Sequence, residues 1–248
     1  MADRPVALVT GGGRGIGAAI VAALATTHDL LVNFTTRGDG AEAVAAAARA
    51  AGAQAVAHQA DVGDEAAVSA MFAAVDRRFG RLDVLVNNAG IAGAYGTLDV
   101  VDEAMLARLW AVNITGPFLC AREAARRMRI DLGGSGGSIV NISSKAAVLG
   151  GTGEWVHYAA SKGALDTMTT GLAKELAPFG VRVNGVRPGL IESDFHDHAP
   201  AGRVERMAPQ IPMLRSGSAA EVAGAVRWLC SAEASYVTGA FIDVTGGR

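Results

Sequence analysis

The segment "VALVTGGGRGIGAAI" (residues 6–20) is the strongest indication of the fold, because it combines a short apolar strand, a glycine-rich turn and the start of a helix. In a parallel sheet this turn lies at the carboxyl end of the first strand, where backbone N–H groups and the helix N-terminus form an anion site. Gly11 permits the tight turn, and Gly15 and Gly17 let a pyrophosphate approach the backbone without a Cβ clash. Their spacing differs from the dinucleotide fingerprint G-x-G-x-x-G, so a purely structural turn remains the alternative for this stretch alone.

Beyond this stretch, apolar runs rich in β-branched residues alternate with alanine-rich helical patterns along the whole chain. Most runs are too continuous for half-exposed strands, which favours a parallel sheet covered by helices on both faces. The repetition predicts right-handed βαβ units, so we expect an α/β fold: one doubly wound parallel sheet of about seven strands. The predicted strands are 6–9, 30–34, 55–61, 84–88, 138–143, 181–186 and 241–244, and the predicted helices are about 16–27, 40–51, 64–79, 103–130, 156–177 and 218–231.

Composition narrows the class of protein. The 248 residues carry a net charge of −2 and contain no basic run, so neither nucleic-acid nor polybasic membrane binding is expected. The first residues lack the apolar region of a secretory signal, and no stretch of about 18 residues looks apolar enough to span a bilayer. Cys120 and Cys230 lie in apolar helical patterns, where buried free thiols are expected. We therefore expect a soluble, cytoplasmic protein.

A tyrosine and a lysine, Tyr158 and Lys162 of "HYAASKGALD" (157–166), would share one face of a helix. An ammonium about 4 Å from a phenol favours the phenolate by up to about 4 kcal/mol at an effective dielectric near 20. That energy corresponds to about three pKa units. We therefore expect the pKa of Tyr158 to be lowered towards 7, where one group can both donate and accept a proton. A half-buried tyrosine beside an exposed lysine is the alternative for the pair alone.

Two other polar residues are candidates for the same site. Ser144 directly follows the strand predicted at 138–143, and its hydroxyl can donate a hydrogen bond to a carbonyl oxygen as negative charge develops. Asn113 of "AVNITGPF" (111–118) lies inside a long predicted helix, where asparagine lowers helix propensity, and this indicates a hydrogen-bonding role. A satisfied helix kink explains Asn113 alone equally well.

The end of the second predicted strand indicates which dinucleotide the turn would bind. In such folds an Asp or Glu at this position bonds the ribose 2′-hydroxyl. Here Thr35 and Thr36 supply hydroxyls, Arg37 supplies a cation, and Arg14 in the glycine turn supplies a second one. Two arginines and two hydroxyls suit a 2′-phosphate, so NADP(H) is expected to be preferred, with NAD(H) possible. An Arg37 that is only a surface charge is the alternative.

In combination these motifs resemble the short-chain dehydrogenase/reductase family, over nearly the whole chain. The resemblance implies one Rossmann-like dinucleotide-binding oxidoreductase domain over residues 1–248, which transfers hydride between a nicotinamide and a carbonyl or secondary alcohol. A catalytically silent NADP(H)-binding regulator or scaffold is the alternative, but it would need no proton relay. The matching motifs are "TGGGRGIG" (10–17), "DV" (61–62), "NNAG" (87–90), Asn113, Ser144, "YAASK" (158–162) and "PG" (188–189).

The resemblance also implies the roles of individual residues. Tyr158 would be the acid/base, Lys162 would lower its pKa and hold the nicotinamide ribose, Ser144 would polarise the substrate carbonyl, and Asn113 would keep a water of the proton relay. Ser193 stands where the family often has threonine. The full expected cofactor-binding set is Gly11, Arg14, Gly15, Ile16, Gly17, Thr35, Thr36, Arg37, Asp61, Val62, Asn88, Ala89, Gly90, Tyr158, Lys162, Pro188, Gly189, Ile191 and Ser193.

The substrate is left open among 3-oxoacyl thioesters, sugars or polyols and other small carbonyls. The segment 192–215 is long and polar, so we expect a substrate lid there, and its polarity favours a hydroxylated or sugar-like substrate. No metal is expected, because His196 and His198 lack a third ligand at a defined spacing. His157 is expected at the pocket rim or the surface, and Trp155 either walls the pocket or packs. The family implies a homotetramer, with a homodimer as alternative, and a buried last strand.

Overall fold

A computed structural model describes residues 4–192 and 199–248 of the chain. Its sheet has seven strands in the order β3-β2-β1-β4-β5-β6-β7, and every neighbouring pair is parallel. The predicted α/β architecture is therefore confirmed. The strands are β1 (Val6–Val9), β2 (Asp29–Phe34), β3 (Ala55–Gln59), β4 (Val84–Asn87), β5 (Gly137–Ile142), β6 (Val181–Pro188) and β7 (Phe241–Val244).

Helices cover both faces of this sheet. They are α1 (Gly15–Leu24), α2 (Gly38–Ala50), α3 (Glu65–Phe79), α4 (Glu103–Trp110), α5 (Gly116–Met128), α6 (Ala146–Leu149), α7 (Val156–Leu176), α8 (Arg203–Met207) and α9 (Ala219–Cys230). Alternate residues of each strand point to opposite faces of the sheet and pack into two apolar cores. Leu8 and Leu85 pack with α3, α5 and α7, whereas Val9 and Val86 pack with α1, α2 and α9. This alternation explains why the strand sequences are apolar at almost every position.

The direction in which the chain builds the sheet reverses between β1 and β4. β2 and β3 lie on one side of β1, and β4 to β7 lie on the other. In open α/β sheets a crevice forms at such a switch point, outside the carboxyl ends of the strands. The glycine turn after β1 and the segments after β4 and β5 therefore meet at one edge of the sheet.

The helix predicted over 103–130 is interrupted. A π-helical turn, Ala111–Thr115, separates α4 from α5, and the N–H of Gly116 donates to the carbonyl of Ala111, five residues earlier. Pro117 has no N–H and cannot donate an α-helical hydrogen bond to the carbonyl four residues before it, which is that of Asn113. Single π-turns within helices are frequent at functional sites, and this one places Asn113 at its centre.

Three other expectations are wrong in detail. Within the described residues, the run Glu103–Met128 is long and apolar enough, by length and composition, to cross a membrane, with a mean hydropathy of 1.3. Cys120 of this run and its neighbours on the inner face are buried in the apolar core, although only 39% of the most apolar window is buried. β7 is an edge strand and is only partly buried, with Asp243 exposed. Cys120 is a buried free thiol as expected, but Cys230 is only half-buried.

Candidate active site

A cleft of about 860 Å³ opens at the carboxyl edge of the sheet, where the turn after β1 meets the segments after β4, β5 and β6. Nearly all the residues predicted for the site line it. Asn113 does not line the cleft but lies behind it, and Ser193 lies outside the described residues. The sheet thus brings together side chains that are far apart in sequence, as the order of the motifs predicts.

The glycine turn has the conformation that its sequence predicts. Gly11 and Gly15 have φ angles of +61° and +50°, a region that residues with a Cβ rarely adopt. Gly17 is fixed by crowding instead, because a Cβ there would lie 2.2 Å from the carbonyl oxygen of Gly11. Gly15, Ile16 and Gly17 line the cleft, so the N-terminus of α1 is accessible to a ligand.

Asn88 braces this turn as well as lining the cleft. Its Nδ2 donates to the carbonyl oxygens of Thr10 (2.9 Å) and Gly11 (3.0 Å). The Thr10 hydroxyl in turn accepts from the N–H groups of Asn88 and Ala89, at 2.9 and 3.0 Å. Asn33 of β2 adds a third brace, since its Oδ1 accepts from the N–H of Gly11 at 3.2 Å. A bracing role was not predicted for Thr10, which lies in the matched glycine motif, or for Asn33; a polar residue inside or directly after an otherwise apolar strand is the signal that points to them.

The predicted 2′ end of the cleft is positively charged. β2 ends at Phe34, and Thr35, Thr36 and Arg37 follow it along the cleft wall. Arg14 is the N-cap residue of α1 and Arg37 that of α2, so both exposed guanidinium groups lie beside positive helix termini. No carboxylate occurs between residues 30 and 38.

Asp61 and Val62 border the same part of the cleft, below β3. Asp61 is held by Arg108 of α4 (Nη1–Oδ2 2.8 Å) and by the N–H of Gly63 at 2.9 Å. Burial acts to raise the pKa of this carboxyl, but the hydrogen bonds from Arg108 and Gly63 outweigh it and lower the pKa overall. Arg108, which was not predicted as a site residue, fixes the orientation of Asp61 by this ion pair.

The acid/base candidates meet where β5 and α7 come together. Tyr158 and Lys162 lie in the first turns of α7 on one face, and both are buried. The hydroxyls of Tyr158 and Ser144 are hydrogen-bonded to each other. Lys162 Nζ donates to the carbonyl of Ile142 at 2.8 Å and lies 5.7 Å from the centroid of the Tyr158 ring. The three side chains therefore form one cluster in the cleft.

The expected lowering of the Tyr158 pKa is wrong for this arrangement. Burial raises the pKa of Tyr158 to about 12, and the hydrogen bond from Ser144 offsets only part of this effect. The ammonium of Lys162 is buried too, and burial lowers its pKa to about 8, partly offset by the charge of Asp166. Desolvation therefore determines the direction of both pKa shifts, whereas the sequence shows only the charge of one group near the other. At neutral pH Tyr158 is a neutral proton donor beside a largely protonated Lys162.

Asn113 holds two parts of the site together. Its Oδ1 accepts from the N–H of Ile91 (2.9 Å), and its Nδ2 donates to the carbonyl of Ile91 (2.8 Å) and to Ser161 Oγ (3.0 Å). Ser161 Oγ donates onward to the carbonyl of Tyr158 at 2.7 Å. The side chain in the π-turn therefore joins the segment after β4 to the helix that carries Tyr158 and Lys162. Ser161 was quoted in the motif, but the sequence gave no reason to assign it this role.

The substrate side of the cleft is built from large side chains. Trp155 is buried and lines the cleft, so it walls the pocket and packs at the same time; Tyr95 meets it edge to face, with centroids 5.0 Å apart. Arg203 lies over the Trp155 ring and pairs with Glu154. His157 was expected at the pocket rim or the surface, but it is buried and does not line the cleft; its Nε2 lies against Gly93 and has no hydrogen-bond partner among the described residues.

Part of the expected lid is folded against this wall. Within 199–215 the short helix α8 is followed by a 3₁₀ turn, Ala208–Gln210, and Arg203, Met207 and Gln210 line the cleft. His196 and His198 lie outside the described residues, and no group that could hold a metal ion occurs within residues 4–192 and 199–248.

Comparisons with known proteins agree with this geometry. Residues 11–248 match the profile of the family described as enoyl-(acyl carrier protein) reductase. An uncharacterized oxidoreductase, YgfF of Escherichia coli, is 49% identical, and the match covers 98% of this chain and 99% of that one. The 3-oxoacyl-[acyl-carrier-protein] reductase FabG of Staphylococcus aureus is 39% identical, with 97% and 96% covered.

Solved structures give the same result. A short-chain dehydrogenase from Burkholderia cenocepacia, crystallised with NADP, superimposes with a TM-score of 0.91 at 35% identity, and the match covers 98% of this chain and 97% of that one. The cleft described above therefore takes a nicotinamide cofactor, and the chain is an oxidoreductase that belongs to the short-chain dehydrogenase/reductase family.

Proposed function

We propose that this enzyme uses NADP(H) in preference to NAD(H) and reduces a small, hydroxylated or sugar-like carbonyl compound, or oxidises the corresponding secondary alcohol. The observation that supports it best is the cluster of Tyr158, Ser144 and Lys162 in the same cleft as the glycine turn. One proton-donating pair thus lies within reach of the site that holds the cofactor.

The residues of the cleft fit a dinucleotide. At Gly17 there is no room for a Cβ, and at Gly11 one would lie 3.0 Å from the Cα of Ala89, so the turn offers bare backbone to a pyrophosphate. Arg14 and Arg37 would bind a 2′-phosphate, with Thr35 and Thr36 beside them. When bound, the nicotinamide supplies or accepts the hydride. Ala89, Gly90, Pro188, Gly189 and Ile191 would border the nicotinamide end.

The protein's own part in catalysis is to position the carbonyl and to move a proton. The hydroxyls of Ser144 and Tyr158 would donate hydrogen bonds to the carbonyl oxygen and stabilise the charge that develops there. Tyr158, with its pKa at about 12, is protonated at neutral pH and would give its proton to the alkoxide. Lys162, largely protonated below a pKa of about 8, would stabilise the tyrosinate that remains.

Asn113 would act mainly by holding the segment after β4 against α7, since its side chain bonds Ile91 and Ser161. Both hydrogen-bonding ends of its amide are used in this way. The family implies a water kept by Asn113, and this water would therefore bind to the backbone carbonyl of Asn113. In an α-helix that carbonyl would accept from residue 117, but Pro117 has no N–H to donate.

The proposed substrate class follows from the wall that faces the cluster. Glu154, Arg203, Gln210 and Arg248 line the substrate side, which favours a compound with several oxygen atoms over a purely apolar ketone. Leu149 and Met207 add apolar surface, so a 3-oxoacyl thioester is the second candidate. Residues 192–215 would form the lid over this space.

The test is a rate measurement on a carbonyl panel. NADPH and NADH oxidation would be followed with sugars, hydroxyketones, 3-oxoacyl thioesters and simple ketones, and NADP⁺ reduction with polyols. Turnover should be found with NADPH and a hydroxylated compound, and Tyr158→Phe should abolish it while NADPH affinity, measured by fluorescence titration, is nearly unchanged. Tyr236→Phe is the matched control, because Tyr236 is fully exposed and does not line the cleft.

Three outcomes would contradict the proposal. Turnover with 3-oxoacyl thioesters and none with any hydroxylated compound would remove the proposed substrate class. A Tyr158→Phe variant that keeps a tenth of the wild-type rate would show that another group carries the proton. Tight NADPH binding without turnover of any carbonyl or alcohol would favour the regulator or scaffold alternative.

We also propose a cytoplasmic homotetramer, with a homodimer as the alternative. The partly buried edge strand β7 and the exposed Tyr236 and Trp228 offer surface that a second subunit would cover. Light scattering on purified protein would give the mass: four times 25.2 kDa is expected, and a mass of 25.2 kDa would contradict both forms.

A further inference from the structure

One ion pair joins the lid to the wall of the substrate pocket. Arg203, the first residue of α8, holds the carboxylate of Glu154 with two hydrogen bonds, Nε–Oε1 at 2.9 Å and Nη2–Oε2 at 2.5 Å. The two residues are 49 positions apart in the chain. Such a bidentate pair fixes the relative orientation of the two segments as well as their distance.

The pair is shielded, unlike most ion pairs of this molecule. The Arg203 side chain is only 10% exposed and that of Glu154 27%. Arg215 and Glu221 form an equally bidentate pair, but their side chains are 50% and 42% exposed and neither lines the cleft. Exposed pairs contribute little because water competes for both charges, so the shielded pair is expected to have the larger effect.

Aromatic contacts connect this pair to the acid/base tyrosine. The Arg203 guanidinium lies 5.0 Å from the centroid of the Trp155 ring, and the Tyr95 hydroxyl donates to Glu154 Oε1 at 3.4 Å. Trp155 in turn packs with Tyr158 in a small apolar cluster that also includes Ala92. A continuous set of contacts therefore runs from the lid, through Arg203 and Trp155, to Tyr158.

We propose that Glu154 and Arg203 form a latch that holds the lid segment 199–210 and the Trp155 ring in place, and that Arg203 is a positioning residue for the carbonyl substrate. The inference deepens the proposed function and rests on it. Since the latch lies on the substrate side, its loss changes substrate binding, while the cofactor half and the proton donor remain intact.

The test compares Arg203→Gln, Glu154→Gln and the double variant with wild type. For each single variant we expect KM for the carbonyl substrate to rise about tenfold, as loss of a shielded bidentate pair predicts, with kcat changed less than about threefold. NADPH affinity should be unchanged. The double variant should resemble either single one, because both remove the same interaction. Arg203→Lys should recover little, since lysine provides neither the fork nor the ring stacking.

The matched controls are Arg129→Gln and Asp131→Asn, which break a bidentate pair outside both the cleft and the lid, in which the arginine also lies over an aromatic ring, that of Phe179. They should leave KM unchanged. A second measurement does not depend on turnover: amide hydrogen exchange of residues 199–210, followed by mass spectrometry, should become faster in the latch variants and not in the controls.

The outcomes separate the latch from the proposed function. If wild type reduces no carbonyl, the proposed function fails, and the exchange measurement still decides whether the latch exists. Unchanged exchange in both latch variants would overturn the latch. Faster exchange with an unchanged KM, or additive effects in the double variant, would overturn the positioning role of Arg203.

Discussion

The proposed cofactor half and the proposed substrate half of the cleft are built in different ways. The cofactor half is made of backbone: glycines where a Cβ would collide with a carbonyl, braced by hydrogen bonds from Thr10, Asn33 and Asn88. The substrate half is made of side chains: the rings of Trp155 and Tyr95 meet edge to face, and the ion pair between Glu154 and Arg203 joins the wall to the lid. One methyl group added at a glycine is enough to displace the backbone of the turn, whereas single substitutions in a wall of side chains change the shape of the pocket gradually.

This difference fits the two tasks of the enzyme. A dinucleotide has the same pyrophosphate in every member of such a family, so a rigid backbone cradle serves it. The substrate pocket is formed by loops that differ between enzymes of one fold, and its specificity depends on individual contacts. Mutations in the cofactor half of the cleft should therefore lower cofactor affinity strongly, and mutations in the substrate half should raise KM by amounts that depend on the contact removed.

The largest effect is expected for Gly17→Ala. The new Cβ would lie 2.2 Å from the Gly11 carbonyl oxygen and 2.6 Å from Asn88 Nδ2, so the turn must open. We expect NADPH affinity, measured by fluorescence titration, to fall at least about 100-fold, which corresponds to about 2.7 kcal/mol. The control is Gly171→Ala in α7, where nothing lies within 4 Å; it should stabilise the protein by about 0.5–1 kcal/mol. Normal NADPH binding by Gly17→Ala would show that the cradle is not rigid.

Lys162, between the two halves, should lower stability near neutral pH. Burial lowers the pKa of Lys162 to about 8, below its value in the unfolded chain, so the unfolded state binds more protons and stability rises with pH between about 8 and 10.5. Lys162→Met should therefore raise the free energy of unfolding at pH 7 by on the order of 1–3 kcal/mol, less about 1 kcal/mol for the lost hydrogen bond to Ile142.

Urea denaturation at several pH values checks this prediction. The difference between Lys162→Met and wild type should shrink as pH rises from 8 to about 10.5, where lysine is neutral in both states. Lys174→Met is the control, because Lys174 is exposed near the end of the same helix. A difference for Lys162→Met that stays constant with pH would show that its ammonium is not destabilised by burial.

The cofactor half could be predicted from the sequence because its determinants are local. Glycines at fixed offsets after a strand describe a turn wherever they occur, and Tyr158 and Lys162 are related by the geometry of one helix. Apolar runs and helical patterns also give the sheet and the order of its elements. The interruption at Asn113 was expected only as the alternative of a helix kink, although Pro117 is its visible cause, because the apolar pattern runs through it without a break.

The substrate half could not be predicted, because its contacts join distant segments. Glu154 and Arg203 are 49 residues apart, and nothing in either local sequence indicates their pairing. The prediction of a lowered pKa for Tyr158 was wrong for a related reason. A charge four residues away can be seen in the sequence, but the burial that raises the pKa to about 12 depends on the whole fold.

A smaller effect on the cofactor half is expected for Arg37→Ala. Arg37 lines the cleft at the N-terminus of α2, where it would contact a 2′-phosphate. NADPH affinity should fall about tenfold, as for loss of one charge-assisted contact, and NADH affinity should change less than about twofold. Arg227→Ala on α9, which lies outside the cleft, is the control. Equal losses for the two cofactors would contradict a contact with the 2′-phosphate.

The smallest effect is expected for Tyr95→Phe in the substrate half. This change removes one hydroxyl, whose hydrogen bond to Glu154 is long at 3.4 Å, and keeps the ring that meets Trp155 edge to face. Since Arg203 continues to hold both carboxylate oxygens of Glu154, KM should rise less than about twofold, and the free energy of unfolding should fall by less than about 1 kcal/mol. Steady-state kinetics and urea denaturation beside Arg203→Gln would measure both. A KM effect as large as that of Arg203→Gln would mean that the tyrosine hydroxyl itself contacts the substrate, and the wall would then be a direct binding surface rather than a support held by the latch.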